Sequence, residues 1–166
     1  MNQPVDHRAN RRRGDAARPD APVAAHHSER IRVAWADTDA SGRIHFTAAF
    51  CWAEEAEHAL LRRLGLTPPG NADGFPRRHV EATYHRPLWF ADELDLVLSA
   101  ERVGRTSVTY AWQAIRDGQV CVEGRTVTVH VDGDGRPAPL PQALQQLAPK
   151  VPAHARTSRS RQYPIS

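Results

Sequence analysis

The sequence predicts a single α+β domain in which one long helix covers one face of an antiparallel sheet of about five strands. Three observations lead to this prediction. A short alternation of apolar residues comes first, a helix-forming run over 47–64 follows, and four strand-like runs then fill the stretch over 77–132. Because each parallel crossover needs a dozen residues or more, the absence of a helical pattern in that stretch favours consecutive hairpins.

The two ends of the chain differ in composition from its middle. A length of 166 residues suits one domain. Residues 1–28 contain no aromatic residue and are rich in Pro, Ala, Asp and Arg, so we expect a disordered N-terminal tail. Residues 150–166 hold four basic and no acidic residues, and we expect a basic, flexible C-terminal tail. The folded domain is therefore predicted over 29–149.

The excess of basic residues comes from these tails. The chain has 22 Lys and Arg against 19 Asp and Glu, and the tails carry net charges of +2 and +4. The predicted domain itself therefore carries −3. A nucleic-acid groove needs basic residues clustered on a folded surface, so nucleic-acid binding is not favoured, and association through the arginine-rich tails stays a minor alternative.

Cysteine usage and hydropathy indicate the cellular compartment that the sequence favours. Cys51 and Cys121 stand 70 positions apart and belong to no metal-binding motif, so we predict no disulfide framework, metal or cofactor. No apolar run approaches the roughly 18 residues that span a bilayer. We expect a cytoplasmic protein that does not enter the membrane.

The first strand and the helix follow from periodicity. Ile31, Val33 and Trp35 alternate with less apolar residues, which predicts a strand. The run over 47–64 is rich in Ala, Glu, Leu and Arg and lacks Gly and Pro, which predicts a helix about 27 Å long. Gly65 stands where a C-cap glycine belongs.

The remaining strands are predicted at about 78–85, 93–103, 106–116 and 119–131, in runs rich in Val, Thr and aromatic residues. Gly104 and the pair Asp117-Gly118 separate the last three strands. Glycine tolerates the positive φ that hairpin turns need, so these strands are expected to pair as hairpins. A short closing helix is predicted over 141–147.

The densest polar motif joins the first strand to the helix. It reads Asp-Thr-Asp-Ala-Ser-Gly-Arg-Ile-His-Phe over 37–46. A carboxylate at such a junction lies near helix N-terminal amides, which can polarise a substrate carbonyl while the carboxylate attacks it or activates water. The alternative is that Asp37 and Asp39 only cap turns, as Asp often does.

Calcium binding is a weaker reading of the same motif. The run from Asp37 to Ile44 follows the opening of an EF-hand loop, but Ala48 occupies the position of the bidentate Glu. A strand pattern also precedes the loop where an EF-hand has a helix. The motif is therefore not predicted to bind calcium.

The motif over 37–46, followed by a helix that carries Glu54, resembles the hot-dog thioesterases of the 4-hydroxybenzoyl-CoA thioesterase family. The likeness continues in the segment 84–95, which resembles the family's Tyr-x-x-Pro-x-x-x-x-Asp-x-Leu pattern, in the hairpin over 103–108 and in Pro-Leu-Pro over 139–141. It covers about 29–149. The resemblance implies the hot-dog fold, in which an antiparallel sheet wraps around one long helix.

The resemblance also implies catalytic roles. The chain would hydrolyse an acyl-CoA or acyl-carrier-protein thioester to free acid and thiol, with Asp39 as nucleophile or general base. Asp37 would be structural. The backbone N–H of Phe46, at the start of the helix, would bind the oxyanion, with His45 beside it. No cofactor is implied.

Substrate contacts are implied at five further positions. Gly42 would let the loop turn and the substrate approach closely. Arg43 places a charge near the mouth of the site, and Ala49 replaces a common aromatic residue and would widen the acyl pocket. Glu54 matches a recurring Glu of the family. Arg105 is one of four arginines, with Arg102, Arg125 and Arg136, whose side chains suit bidentate contacts with coenzyme A phosphates; the alternative for each is surface solvation.

The resemblance also implies an oligomeric assembly, and one alternative to an enzyme stays open. Hot-dog relatives build their sites between subunits, so a homodimer or homotetramer is implied. A non-hydrolytic hot-dog module that binds acyl thioesters or serves as a scaffold is the alternative to an enzyme. Retention of Asp39 beside Gly42 favours the enzyme. The identity of the acyl group is left open.

Overall fold

The computed structural model describes residues 26–66 and 74–147. In chain order, the elements are β1 (His26–Arg32), α1 (Ala48–Arg63), β2 (Arg77–Tyr84), β3 (Glu93–Val103), β4 (Ser107–Arg116), β5 (Gln119–Val129) and the short α2 (Gln142–Gln145). The five strands form one antiparallel sheet in the order β1-β3-β4-β5-β2. The predicted α+β class is confirmed.

The first strand begins earlier than predicted. β1 starts at His26 and pairs with β3 from His26 opposite Ser99 to Arg32 opposite Glu93. Residues 26–28 therefore belong to the sheet, which corrects the predicted tail boundary; the rest of that tail and the C-terminal tail lie outside the described residues. Backbone hydrogen bonds to β3 hold these residues in the sheet. Because backbone hydrogen bonds do not depend on the side chain, the sequence shows no apolar pattern here.

The first strand also ends earlier than its alternation suggests. After Arg32 the chain enters a 3₁₀ turn over Trp35–Asp37, and Trp35 is 72% exposed. The apolar alternation at Ile31 and Val33 thus continues into a turn, where Trp35 packs edge-on against Phe90 with ring centres 5.6 Å apart.

α1 packs against the sheet through a face of small residues. Ala48, Ala49, Ala53 and Ala56 are at most 5% exposed, and Trp52, Leu60 and Leu61 extend this face. The opposing sheet face supplies Leu94, Leu96, Leu98, Tyr110, Trp112 and Val122. At the C-terminal end, Gly65 has φ of +72°, and the amides of Gly65 and Leu66 donate to the carbonyls of Arg62 and Leu61. This is a Schellman motif, which confirms the predicted C-cap.

A charged pair lies beneath the helix. Glu57 is 2% exposed, and its Oε2 accepts a 3.0 Å hydrogen bond from Arg77 Nη2. The same nitrogen lies 3.2 Å from Oε1 of Glu54. Burial raises the pKa of Glu57 to about 7, with Glu54 adding to the rise and Arg77 opposing it. Oε1 of Glu57 has no hydrogen-bond partner among the described residues.

We predict that Glu57 makes stability depend on pH. Its pKa is about 7 in the folded chain against an ordinary value of 4.5, so the folded state holds an extra proton between these values, and the stability that this proton supplies is lost as pH rises through them. Relative to the wild type, Glu57→Gln should gain up to about 3 kcal/mol in free energy of unfolding between pH 5 and pH 8. Urea unfolding at both pH values measures this gain.

Glu55→Gln is the control for this prediction, because Glu55 is exposed on the same helix and the substitution changes the charge equally. Its unfolding free energy should follow the wild type across the range. If the Glu57→Gln and wild-type curves ran parallel, the raised pKa of Glu57 would be contradicted.

Candidate active site

Asp37 fastens the loop between β1 and α1. Its Oδ2 accepts a 2.8 Å hydrogen bond from the amide of Ala34, which caps the 3₁₀ turn. Its carbonyl oxygen accepts a 2.7 Å hydrogen bond from the amide of His45, at the far end of the loop. Both contacts hold the backbone in place, and they leave Asp37 a structural role.

Asp39 lies in a tight turn that leaves one of its carboxylate oxygens free. Oδ1 accepts hydrogen bonds from the Ser41 amide at 2.7 Å and the Ser41 hydroxyl at 2.6 Å. The Ser41 hydroxyl lowers the pKa of Asp39 most, and the Ser41 amide, His45 and Arg43 lower it further. Asp39 is therefore ionised at neutral pH, and within the described ranges its Oδ2 has no hydrogen-bond partner.

Gly42 and Arg43 border an exposed aromatic surface. Gly42 turns the chain with φ of +77°, and its carbonyl oxygen accepts a 3.3 Å hydrogen bond from the Phe90 amide. The Arg43 guanidinium lies over Trp89, with Cζ 5.2 Å from the ring centre. Trp89 and Phe90 are 41% and 51% exposed. The loop at Gly42 and Arg43 and the β2–β3 connection at residues 89–90 thus bring one cation and two aromatic rings together.

The N-terminus of α1 presents an unpaired amide. The Phe46 N–H makes no hydrogen bond within the described part of the chain, whereas the Phe46 carbonyl accepts a hydrogen bond from the Tyr84 hydroxyl of β2. His45 Nδ1 lies 2.7 Å from Thr47 Oγ1 and 3.4 Å from the Thr47 amide that donates to it. The Phe46 amide therefore stands at the positive end of the helix dipole, free to bind an anion.

A cleft runs along α1 from this N-terminus. It has a volume of about 320 Å³, and α1 and the strands β2 and β5 form its walls. Glu54, half exposed, lies at its opening beside Arg77. The lining residues are Thr47, Phe50, Cys51, Glu54, Glu57, Arg77, Val80 and Thr126. The cleft therefore begins at the first turn of α1, next to the unpaired Phe46 amide.

Glu57 lines the cleft, although the resemblance to the family implied no role for it. The signal was present, because Glu57 keeps helical spacing with Ala53, Leu60, Leu61 and Leu64, which places it on the apolar side. An acidic residue in an apolar stripe marks a buried, functional or paired carboxylate. Here it is paired with Arg77.

Ala49 and Arg105, which were predicted to contact the substrate, do not line the cleft. Ala49 is fully buried in the core and does not line the cleft, so its expected effect on the acyl pocket is corrected to close packing of the helix. Arg105 follows the C-terminal end of β3. Just before the N-terminal end of this strand, the Asp92 carbonyl accepts a hydrogen bond from the Val33 amide, which precedes the loop that carries Asp39. Along the 11 residues of β3, these ends lie about 30 Å apart, so one chain does not bring Arg105 to Asp39.

Among the described residues, no three His, Cys, Asp or Glu side chains come together as a metal site. None of the helices in the same ranges has the length and apolar character needed to cross a bilayer.

Comparison with known proteins identifies the family. The profile of the thioesterase-like superfamily matches residues 33–147. A 1,4-dihydroxy-2-naphthoyl-CoA hydrolase of Synechococcus sp. (strain RCC307) is 30% identical over 119 residues, which are 66% of this chain and 91% of that protein. A hydrolase of the same name from Synechococcus sp. (strain CC9605) is 30% identical over 113 residues, 63% of this chain and 76% of its own.

Solved structures agree with this match. A gentisyl-coenzyme A thioesterase shares 26% identity at a TM-score of 0.66, over 71% of this chain and 98% of its own. The PA5185 protein of Pseudomonas aeruginosa shares 28% identity at a TM-score of 0.66, over 72% of this chain and 86% of its own. The fold and enzyme class implied by the sequence resemblance are therefore confirmed, and the chain belongs to the thioesterase-like superfamily as a hot-dog thioesterase.

Proposed function

We propose that this chain hydrolyses the thioester bond of acyl-CoA substrates, with Asp39 as the catalytic carboxylate and the Phe46 amide as the oxyanion donor. The observation that carries the proposal is that the segment 39–46 holds both an ionised carboxylate with one free oxygen and an unpaired amide at the start of α1. The names of the relatives support coenzyme A as the thiol. Acyl-carrier-protein thioesters are the second substrate class.

The proposed reaction uses these two groups in sequence. The thioester carbonyl oxygen accepts a hydrogen bond from the Phe46 N–H, which stabilises the negative charge that develops on it. Asp39 either removes a proton from the attacking water or attacks the carbonyl carbon to give an anhydride that water then cleaves. The carbon–sulfur bond breaks, and the released thiolate takes a proton. The products are the free acid and the thiol.

Gly42, Arg43 and Glu54 are proposed to contact the substrate around this centre. Gly42 keeps the loop narrow beside Asp39, and Arg43 offers a cation at the surface where the phosphates of coenzyme A would lie. Glu54 lies at the opening of the cleft in contact with Arg77. His45 is proposed to orient the first turn through Thr47.

We propose that two copies of the chain join along β2. This homodimer is either the whole assembly or half of a homotetramer. β2 is an edge strand of the described sheet, so one row of its backbone groups lacks a strand partner within that sheet. Val80 and Tyr84 on this strand are 47% and 43% exposed. A second copy would cover this edge and the adjoining cleft. Arg105 of the partner subunit would contact coenzyme A only in such an assembly.

The first prediction from this proposal concerns Asp39. Asp39→Asn should keep the fold and lower kcat by about 10²–10⁴-fold, because an amide neither attacks a thioester nor accepts a proton from water. Thiol release from a panel of aryl and aliphatic acyl-CoAs measures the rate. Asp37→Asn is the control; it should lower stability by about 1 kcal/mol by weakening a turn cap and retain most of the activity. A wild-type chain that bound acyl-CoAs without releasing thiol would instead be a binding module.

The second prediction concerns the β2 edge. Light scattering of the full chain should give a mass at least twice that of one subunit, which is 18.5 kDa. Val80→Glu should shift the population towards the monomer, because it places a charge on the exposed apolar edge. Glu55→Gln should leave the mass unchanged. A wild-type chain that stayed monomeric at micromolar concentration would contradict the dimer.

A further inference from the structure

The loop that carries Asp39 is attached to residues 88–92, which belong to the connection between β2 and β3. The Ile44 amide of the loop donates a 3.0 Å hydrogen bond to the Leu88 carbonyl. One residue earlier, the Arg43 carbonyl accepts a 2.8 Å hydrogen bond from the Asp39 amide. The backbone of Asp39 is thus linked to the connection through two neighbouring hydrogen bonds, so the shape of the connection helps to set where the carboxylate lies.

The same segment also holds the chain just before the loop. The Val33 amide donates to the Asp92 carbonyl, and the Ala91 amide donates to the Val33 carbonyl, both at 2.9 Å. Val33 is itself buried in the core. Residues 88–92 therefore hold the chain on both sides of Asp39, and a change in their backbone conformation would shift the loop between the two attachments.

Residues 89–92 form a tight turn in a conformation that its sequence disfavours. The Asp92 amide donates a 3.1 Å hydrogen bond to the Trp89 carbonyl, which closes the turn. At the third position of the turn, Ala91 has φ of +67°, where glycine is the usual residue. A side chain in this conformation costs free energy, so the turn needs further contacts to stay closed.

The Asp92 side chain supplies such a contact, and Arg116 holds that side chain in place. Oδ2 of Asp92 accepts a 2.8 Å hydrogen bond from the Trp89 amide. The same oxygen accepts a hydrogen bond from Nη1 of Arg116, the last residue of β4. The side chains of Asp92 and Arg116 are 23% and 33% exposed. Removing the guanidinium would therefore leave a largely buried carboxylate without its charged partner.

We propose that Arg116 is a positioning residue that acts through Asp92 to hold the loop carrying Asp39 in its reactive position. This inference rests on the proposed role of Asp39 and adds a residue that the sequence motif does not contain. The guanidinium keeps the Asp92 carboxylate on the Trp89 amide, and the closed turn keeps its backbone hydrogen bonds to the loop. Arg116 needs no contact with the substrate for this effect.

Asp117 provides a matched control for Arg116. Its Oδ2 lies 3.6 Å from Nε of Arg116, and its side chain is 88% exposed. Asp117→Asn removes this second carboxylate from the same guanidinium and leaves the turn over 89–92 untouched. The φ of +51° at Asp117 is a conformation that asparagine adopts readily. Asp117→Asn should therefore keep the kcat of the wild type.

The test compares Arg116→Met with Arg116→Lys in the full chain. Arg116→Met keeps the alkyl stem and removes the charge, and it should lower kcat for thiol release by about ten- to a hundredfold, because a small displacement of a reacting group is costly. Arg116→Lys restores the charge and should recover most of the lost rate. In Arg116→Met, hydrogen exchange should become faster at the amides of Ile44 and Ala91, whereas the Trp112 amide in the middle of β4 should keep its rate.

A second background guards against misfolding of Arg116→Met. Asp92→Ala removes the carboxylate that Arg116→Met would leave unpaired, and adding Arg116→Met to it should lower kcat little further, because both changes act through one turn. Wild-type kcat and wild-type exchange in Arg116→Met would overturn the inference, and so would a loss of kcat that adds in full to that of Asp92→Ala. If the wild type released no thiol, the proposed function would fail, and the exchange rates would still decide whether Arg116 holds the loop.

Discussion

The close approach of α1 to the sheet sets the position of the site residues at the start of the helix and along it. Four alanines face the sheet, so the helix backbone lies nearer to it than larger side chains would allow. This depth brings the carbonyl of Phe46 within reach of the Tyr84 hydroxyl on β2. It also draws Glu57 into the interior, where Arg77 is its charged partner among residues 26–66 and 74–147. Helix packing thus fixes both the amide at one end of the cleft and the carboxyl group along it.

The surroundings of Asp39 and Glu57 shift the pKa values of these two carboxyl groups in opposite directions. Asp39 is exposed and accepts two hydrogen bonds from Ser41, which lower its pKa. Glu57 is buried beneath the helix, and desolvation raises its pKa despite Arg77. The first is kept charged, as a nucleophile or base requires. The second exchanges its proton near neutral pH, which suits hydrogen bonding more than attack.

Much of the fold could be predicted from the sequence, because its elements obey simple periodicities. α1 and the hairpin strands β3 to β5 begin and end within two residues of their predicted bounds, and Gly65 and Gly118 have the positive φ their turns require. The start of β1 escaped prediction because main-chain pairing orders residues 26–28. Within the site, the local motif predicted the loop, whereas the places of Ala49, Glu57 and Arg105 depend on how distant segments pack.

The strand order has a consequence for how the chain folds. β3, β4 and β5 are contiguous in the sequence and adjacent in the sheet, so their pairing closes only short loops. β1 and β2, which flank α1, reach the two edges through pairings such as Glu29 with Leu96 and Glu81 with Arg125. Because local contacts form at a lower entropic cost, we expect the three-stranded meander to nucleate folding and the edges with α1 to add later. Pulsed hydrogen exchange that protected β1 before β4 would exclude this order.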